Sequence, residues 1–222
     1  MPTLIHPGDG GPDRAAVAAW AAIPTTIAAD LFRGAVLADP AIRPVRPFAD
    51  RPRLAGTAVT AWCEPRDYGP VHHAIAVAGP GQILVIAADG RMDAAMIGEL
   101  LCGAARRKGI AGVVVDGPVR DLATLSAWDD FPVFTRGGVA RGPSSMERGT
   151  VNAPVLFGGI PVAPGDLVLG DDDGLVAIPA ADLAGSLGAA QAMVAAELAW
   201  EARLAAGEST LEVFRVPPSR PA

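Results

Sequence analysis

Apolar and polar positions change period several times along the chain, and each change predicts an element. Residues 1–12 carry Gly and Pro without a period and read as loose. Residues 13–20 read as a short helix, and Thr25-Thr26 as the cap of a second one over 27–32. The prolines and arginines between Asp39 and Pro52 read as a surface loop. Gly56-Thr57-Ala58-Val59-Thr60-Ala61-Trp62 then alternates small and β-branched residues, a strand pattern. Residues 71–78 read as helical. Gly79-Pro80-Gly81 turns the chain into Ile83-Leu84-Val85-Ile86, an unbroken apolar run of the kind a sheet buries on both faces.

Residues 92–108 read as one helix. Arg106-Arg107-Lys108 complements the dipole in its last turn, and Gly109 stops it. Gly112-Val113-Val114-Val115 is a second buried strand, so this stretch forms a βαβ unit with a right-handed crossover. Pro132-Val133-Phe134 predicts a third strand, and 136–152 an aperiodic loop.

Short strands follow at Val155-Leu156, Ile160-Pro161-Val162, Leu167-Val168-Leu169 and Leu175-Val176-Ala177-Ile178. Gly-Gly, Pro-Gly-Asp and Asp-Asp-Asp-Gly separate them, which is tight-turn chemistry. Asp171-Asp172-Asp173-Gly174 lacks the spaced ligands and distal Glu of a calcium loop, and reads as a solvated hairpin turn. Residues 182–206 form a long Ala-rich helix. Leu183, Leu187, Ala190, Val194 and Leu198 make one stripe, suited to packing on this chain or on a neighbouring subunit. Residues 207–222 read as an exposed arm.

At 222 residues, 50% hydrophobic and 19% charged, the chain is expected to form a single globular α/β domain. Its formal net charge of -6 speaks against nucleic acid or an anionic membrane as partner. No apolar run reaches the roughly 18 residues of a membrane span, and the N-terminus lacks the pattern of a signal peptide. A cytoplasmic protein is the expectation. Cys63 and Cys102 lie in apolar stretches outside any Cys/His cluster, and read as buried reduced thiols.

Candidate chemistry sits beyond the carboxyl ends of the two buried strands, where ligands collect in parallel α/β units. One segment holds Asp89-Gly90-Arg91 and then Gly98-Glu99-Leu100-Leu101; the other is Asp116-Gly117-Pro118-Val119-Arg120-Asp121. A helix start near Gly98 offers free N–H groups to a small carboxylate. Arg120 adds a forked cation for a carboxylate or a developing enolate oxygen. Asp121 is a hard oxygen ligand for Mg²⁺ or Mn²⁺, and Glu99 could orient a metal-bound water. The same pair also fits a plain surface ion pair in which Asp121 caps a helix over 122–128. His72 and His73, adjacent on a helix, cannot both face a pocket, and read as satisfied or solvated.

Glu99, twenty intervening residues and Arg120-Asp121 resemble the acidic-x20-Arg-Asp signature of the RraA-like proteins. Further blocks in the same order are Gly56-Thr57-Ala58-Val59-Thr60, Gly79-Pro80-Gly81, Phe131-Pro132-Val133-Phe134, Pro164-Gly165-Asp166-Leu167 and Asp172-Asp173-Gly174. That family includes class II 4-hydroxy-4-methyl-2-oxoglutarate and 4-carboxy-4-hydroxy-2-oxoadipate aldolases, and regulators of ribonuclease E activity.

The resemblance implies a swivelling β/β/α fold assembled as homotrimers or hexamers. By it, Gly98, Glu99, Leu100 and Leu101 with Arg120 would hold pyruvate, and Asp121 would hold the divalent metal. Glu197 or Glu201 of a neighbouring subunit's C-terminal helix would add to the site. The implied activity is metal-assisted cleavage of a 4-hydroxy-2-oxo acid, with Arg120, Asp121 and Glu99 catalytic and oxaloacetate decarboxylation as a companion. Aldolase members carry an acid three residues after the Arg-Asp pair, where this chain has Thr124, as regulator-type members also lack that acid. The alternative is a non-catalytic binder resembling the ribonuclease regulators. No lysine lies in the site motifs, so the resemblance and the residues both point away from a Schiff base.

Overall fold

The computed structural model describes residues 2–8, 11–49 and 53–220. Its centre is a parallel set of four strands, β1 (Leu54–Cys63), β2 (Gln82–Ala87), β3 (Gly112–Asp116) and β4 (Val133–Thr135), adjacent in that order. Three helices connect them: α3 (Gly69–Val77), α4 (Glu99–Arg107) and α5 (Leu122–Ala127). Two further helices, α1 (Arg14–Ala21) and α2 (Thr25–Leu31), precede β1.

The other edge of β1 is shared. Its end, Ala61 to Cys63, pairs antiparallel with β5 (Gly149–Val151). A hairpin of β6 (Val155–Phe157) and β7 (Ile160–Val162) follows. The start of β1, Leu54 to Thr57, pairs antiparallel with β8 (Leu167–Asp171), itself paired with β9 (Gly174–Ile178). The long helix α6 (Leu183–Ala205) and the short α7 (Thr210–Val213) close the chain.

The apolar runs of β2 and β3 are buried on both faces, and their alternation sorts the layers. Leu84, Ile86, Val113 and Val115 face α3 to α5, where Val71, Ala74, Cys102, Ala105 and Leu125 meet them. Ile83, Val85 and Val114 face the β6–β7 hairpin and Val168, Leu175 and Ala177 of β8 and β9. The opposite face of β8 and β9 packs Leu167, Leu169, Val176 and Ile178 on α1, α2 and α6 through Trp20, Ile27 and Leu183. Burying side chains of this size contributes roughly 1.5–3 kcal/mol each before the entropy of ordering them. This is the mixed α/β fold with a long C-terminal helix that the pattern predicts. No helix among the described residues is long and apolar enough to cross a membrane.

Several local expectations are corrected. Leu4–Ile5, expected loose, pairs parallel with Thr150 and Val151. Thr25 does not cap α2; its hydroxyl donates to Asp171 Oδ1 at 2.5 Å, and Pro24 holds the cap position. Asp171 is therefore buried, so the Asp-Asp-Asp-Gly hairpin turn is solvated only in part. Within the expected surface loop, Arg43–Pro44 pairs with Thr135 and Phe134; residues 50–52 lie outside the described ones. The 136–152 segment is not all loop, since β5 lies in it and Gly137–Gly138 pairs with Pro118–Val119. The exposed arm holds a capping box at Ser209 and Glu212, which starts α7 and buries Val213. On α6 the stripe is buried only at Leu183 and Ala190, while Leu198 is exposed.

Candidate active site

The helix expected over 92–108 begins only at Glu99. Before it, the chain turns through Asp89 and Gly90, both at positive φ, and buries Ala94, Ala95, Met96 and Ile97 without helical bonds. Backbone bonds to other segments seat this strip. Ala95 N–H donates to Arg141 O at 2.8 Å, and Met96 N–H to Pro118 O at 3.1 Å. Arg120 N–H donates to Ile97 O at 3.1 Å, and Ile97 bridges Val119 in parallel. Satisfying these buried groups between segments outweighs the helical period of the apolar run, and it lays Gly98 beside Arg120.

Gly98 has no side chain with which to cap α4. Asp121 does so from across the site: its Oδ2 accepts the Glu99 N–H at 3.0 Å. A Cβ at Gly98 would stand 2.4 Å from that same Oδ2 and 2.8 Å from Arg120 Cγ, so only glycine allows the approach. Asp121 is left-handed, with φ 61 and ψ 38, and makes no side-chain cap on α5. The reading of Asp121 as the cap of its own helix is thus corrected. Arg120 Nε lies 3.7 Å from Asp121 Oδ2, and a Cβ on Gly142 would meet Arg120 Nη1 at 2.7 Å. Side-chain exposures of 45% and 36% leave both charged groups open to a ligand.

The first intrahelical bond of α4 runs from Cys102 N–H to Gly98 O at 3.0 Å. The N–H groups of Leu100 and Leu101 therefore have no acceptor within the helix, and the dipole adds partial positive charge there. Gly98, Leu100, Leu101, Arg120 and Asp121 line one cavity of about 170 Å³. The side chain of Glu99 is not among the lining residues; its backbone N–H is its contribution. Thr124, half-buried on α5, does not line the cavity either. Tyr68, His72 and Pro143 do line it; the sequence raised His72 and His73 against a pocket without choosing between them, and gave no sign of Tyr68 or Pro143. Only the start of α3 and the loop after Arg141, brought together by the fold, disclose them.

A larger hollow of about 380 Å³ is lined by Arg43, Ser126 and Arg136 among others. Its arginines are committed, Arg43 to the Asp172 and Asp173 carbonyls and Arg136 to Asp39 and Asp116. Of these two, the smaller cavity is the one with open charged groups.

Among the described residues, no three His, Cys, Asp or Glu side chains gather to hold a metal. Asp121 Oδ1 is the oxygen left after Oδ2 takes the Glu99 N–H. One carboxylate completed by waters and ligand oxygens is a pattern that suits Mg²⁺, so the donor set fits such an ion. Burial, with the charge of Asp121 second, pushes the Cys102 thiol up to about 12, which removes it as a nucleophile. Lys108, the one lysine in the sequence, donates to Ile75 O and Ala76 O at 2.8 and 2.5 Å at the end of α3. Glu197 and Glu201 lie exposed on α6, whose packing partners include α1, α2 and α7.

The RraA-like family model, described as Aldolase/RraA, matches residues 25–177. A Halalkalibacterium halodurans protein provisionally named 4-hydroxy-4-methyl-2-oxoglutarate aldolase is 36% identical over 157 residues, 71% of this chain and 73% of that one. A solved structure from Pseudomonas syringae pv. tomato has a TM-score of 0.80 at 24% identity, covering 93% of this chain and all of that one, a likeness of fold. The RNA-processing inhibitor RraA of Thermus thermophilis has a TM-score of 0.62 at 29% identity, over 70% of this chain and 92% of that one. By its fold, its matched segment and its relatives, the chain belongs to the RraA-like family.

Proposed function

We propose that this protein is a divalent-metal-dependent lyase that cleaves 4-hydroxy-2-oxo acids to pyruvate and a second oxo acid, with oxaloacetate decarboxylation as a companion activity. The observation that carries this reading is the convergence of Arg120, Asp121 and the open N-terminus of α4 on one cavity. The Leu100 and Leu101 N–H groups hold the substrate carboxylate. Arg120, fixed by its backbone bond to Ile97 and by the close passage of Gly98 and Gly142, faces the 2-oxo oxygen and stabilises the charge that develops there. Asp121 would hold Mg²⁺ or Mn²⁺, which when bound supplies Lewis-acid polarisation of the 2-oxo group. The walls at Met96, Leu101 and Pro143 limit water around the breaking bond.

The name of the Halalkalibacterium relative supports the aldol substrate class. Assembly as a homotrimer or hexamer, with Glu197 or Glu201 reaching a neighbour's site, belongs to the same proposal. The test follows pyruvate in a coupled assay with 4-hydroxy-4-methyl-2-oxoglutarate or oxaloacetate, with Mg²⁺ or with chelator. Turnover that needs the metal and is lost in Arg120→Ala and Asp121→Ala is expected. Turnover untouched by chelator and by both substitutions would overturn the site.

A second reading, a non-catalytic regulator that binds a ribonuclease, is favoured by the likeness to the Thermus RNA-processing inhibitor and by Thr124. It predicts no turnover with either substrate and a complex with a ribonuclease in a pull-down.

A further inference from the structure

Cleavage of a 4-hydroxy-2-oxo acid needs a group that takes the 4-hydroxyl proton and a donor that supplies C3. Thr124 offers no such group and does not line the cavity, and in the reading above Asp121 has Oδ2 on the Glu99 N–H and Oδ1 reserved for the metal. Of the other polar side chains in the wall, a guanidinium is a donor only and a phenol a poor base, whereas an imidazole pairs a proton-accepting nitrogen with a proton-donating one. That imidazole is His72, on the first turn of α3.

His72 is oriented rather than loose. The Tyr68 ring meets it edge-on, with centroids 4.8 Å apart and planes at 64°. Tyr68 is in turn anchored by its N–H to Ser145 O at 3.1 Å, and by buried Asp67, which accepts the Gly69 N–H at 3.0 Å. His73, the next residue round the helix, is not part of the wall. Among the charged groups on the elements against α3, Lys108 engages the carbonyls of Ile75 and Ala76, Arg148 engages Glu64 and Asp67, and Arg106 engages Asp130, while Glu99 and Arg107 of α4 lie outside the cavity wall. Arg120 and Asp121 are the charged residues that share the cavity with His72.

We propose that His72 is the proton-exchanging residue of this site, an inference that rests on the lyase reading above. His72 takes the 4-hydroxyl proton, the O–H bonding pair becomes the π pair of the new carbonyl, and the C3–C4 bond breaks. Its electrons pass into the pyruvate enolate beside Arg120. The imidazolium then returns the same proton to C3, so pyruvate and the second oxo acid leave with no other reactant consumed. Tyr68 is a positioning residue for the ring.

The experiment compares wild type, His72→Gln and His73→Gln, each folded as judged by circular dichroism, with Mg²⁺ present. Loss of the base is expected to lower kcat for 4-hydroxy-4-methyl-2-oxoglutarate by about 100-fold or more. Oxaloacetate needs no hydroxyl deprotonation, and its enolate can take a proton from water, so its loss is expected to be several-fold at most. Exchange of the pyruvate methyl protons in D₂O, read by NMR, uses the same base in reverse and is expected to fall with the aldol activity. His73→Gln is expected to match wild type in all three assays. An active wild type with His72→Gln equally active in aldol cleavage and in exchange overturns the role of His72 alone. Wild type that makes no pyruvate from either substrate and exchanges none overturns the lyase reading, and this inference with it.

Discussion

Asp121 accepts the backbone N–H of Glu99 at 3.0 Å, joining residues 22 positions apart. The contact caps one helix with the side chain that begins the next. It also orients a carboxylate and a guanidinium on one cavity.

Gly98→Ala would push a Cβ to within 2.4 Å of Asp121 Oδ2. Overpacking of this kind costs about 1–3 kcal/mol, and displacement of the site groups by an ångström costs about 100-fold in rate. Thermal unfolding together with the pyruvate assay reads both. A variant with wild-type rate would show that the approach is not needed.

Asp121→Asn keeps an oxygen for the Glu99 N–H but removes the charge. Its melting temperature is expected to stay near wild type, while the Mg²⁺ concentration for half-maximal turnover rises more than about tenfold. Arg120→Lys keeps the charge and loses the fork, and is expected to lower kcat by about 100-fold. Metal titrations and steady-state rates check the two separately.

Asp67 is fully buried and accepts from Ser145 Oγ at 2.5 Å, Gly69 N–H at 3.0 Å and Glu147 N–H at 3.1 Å. Burial alone would raise its carboxyl, but these bonds outweigh burial and hold it below the ordinary carboxylate value. A lowered native value makes its stabilisation complete above about pH 4, and lost as pH falls through that value. Asp67→Asn is expected to be about 1–3 kcal/mol less stable at pH 7, with the gap closing below pH 4. Urea unfolding across that range measures it; a constant gap would contradict the assignment.

Burial pushes the thiols of Cys63 and Cys102 each up to about 12. Neither is expected to react with a thiol reagent at pH 8 in the native protein, and both are expected to react after denaturation. Counting modified cysteines by mass spectrometry tests this directly.

The strand runs at Ile83-Leu84-Val85-Ile86 and Val113-Val114-Val115, the turn glycines between the late strands and the stop at Gly109 were all legible, because local period and turn chemistry decide them. Residues 92–98 were not. Their apolar spacing suits a helix, yet the bonds of Ala95, Met96 and Ile97 to distant segments hold them in an irregular, non-helical strip. Gly149–Val151 and Leu4–Ile5 give too short a pattern to read, and each is a strand only because its partner is there.

The candidate site divides the same way. Spacing and residue type by themselves determined that Arg120, Asp121 and a glycine-entered helix belong together, since each carries its chemistry in its own side chain or backbone. The tertiary structure decided how they meet: that Asp121 caps α4 rather than α5, that Glu99 contributes its N–H, and that His72 rather than His73 stands in the wall. Those outcomes depend on close approaches between segments far apart in the chain. No local pattern encodes such distances, because they are set by the packing of α3, α4 and the loop after Arg141 on a shared core.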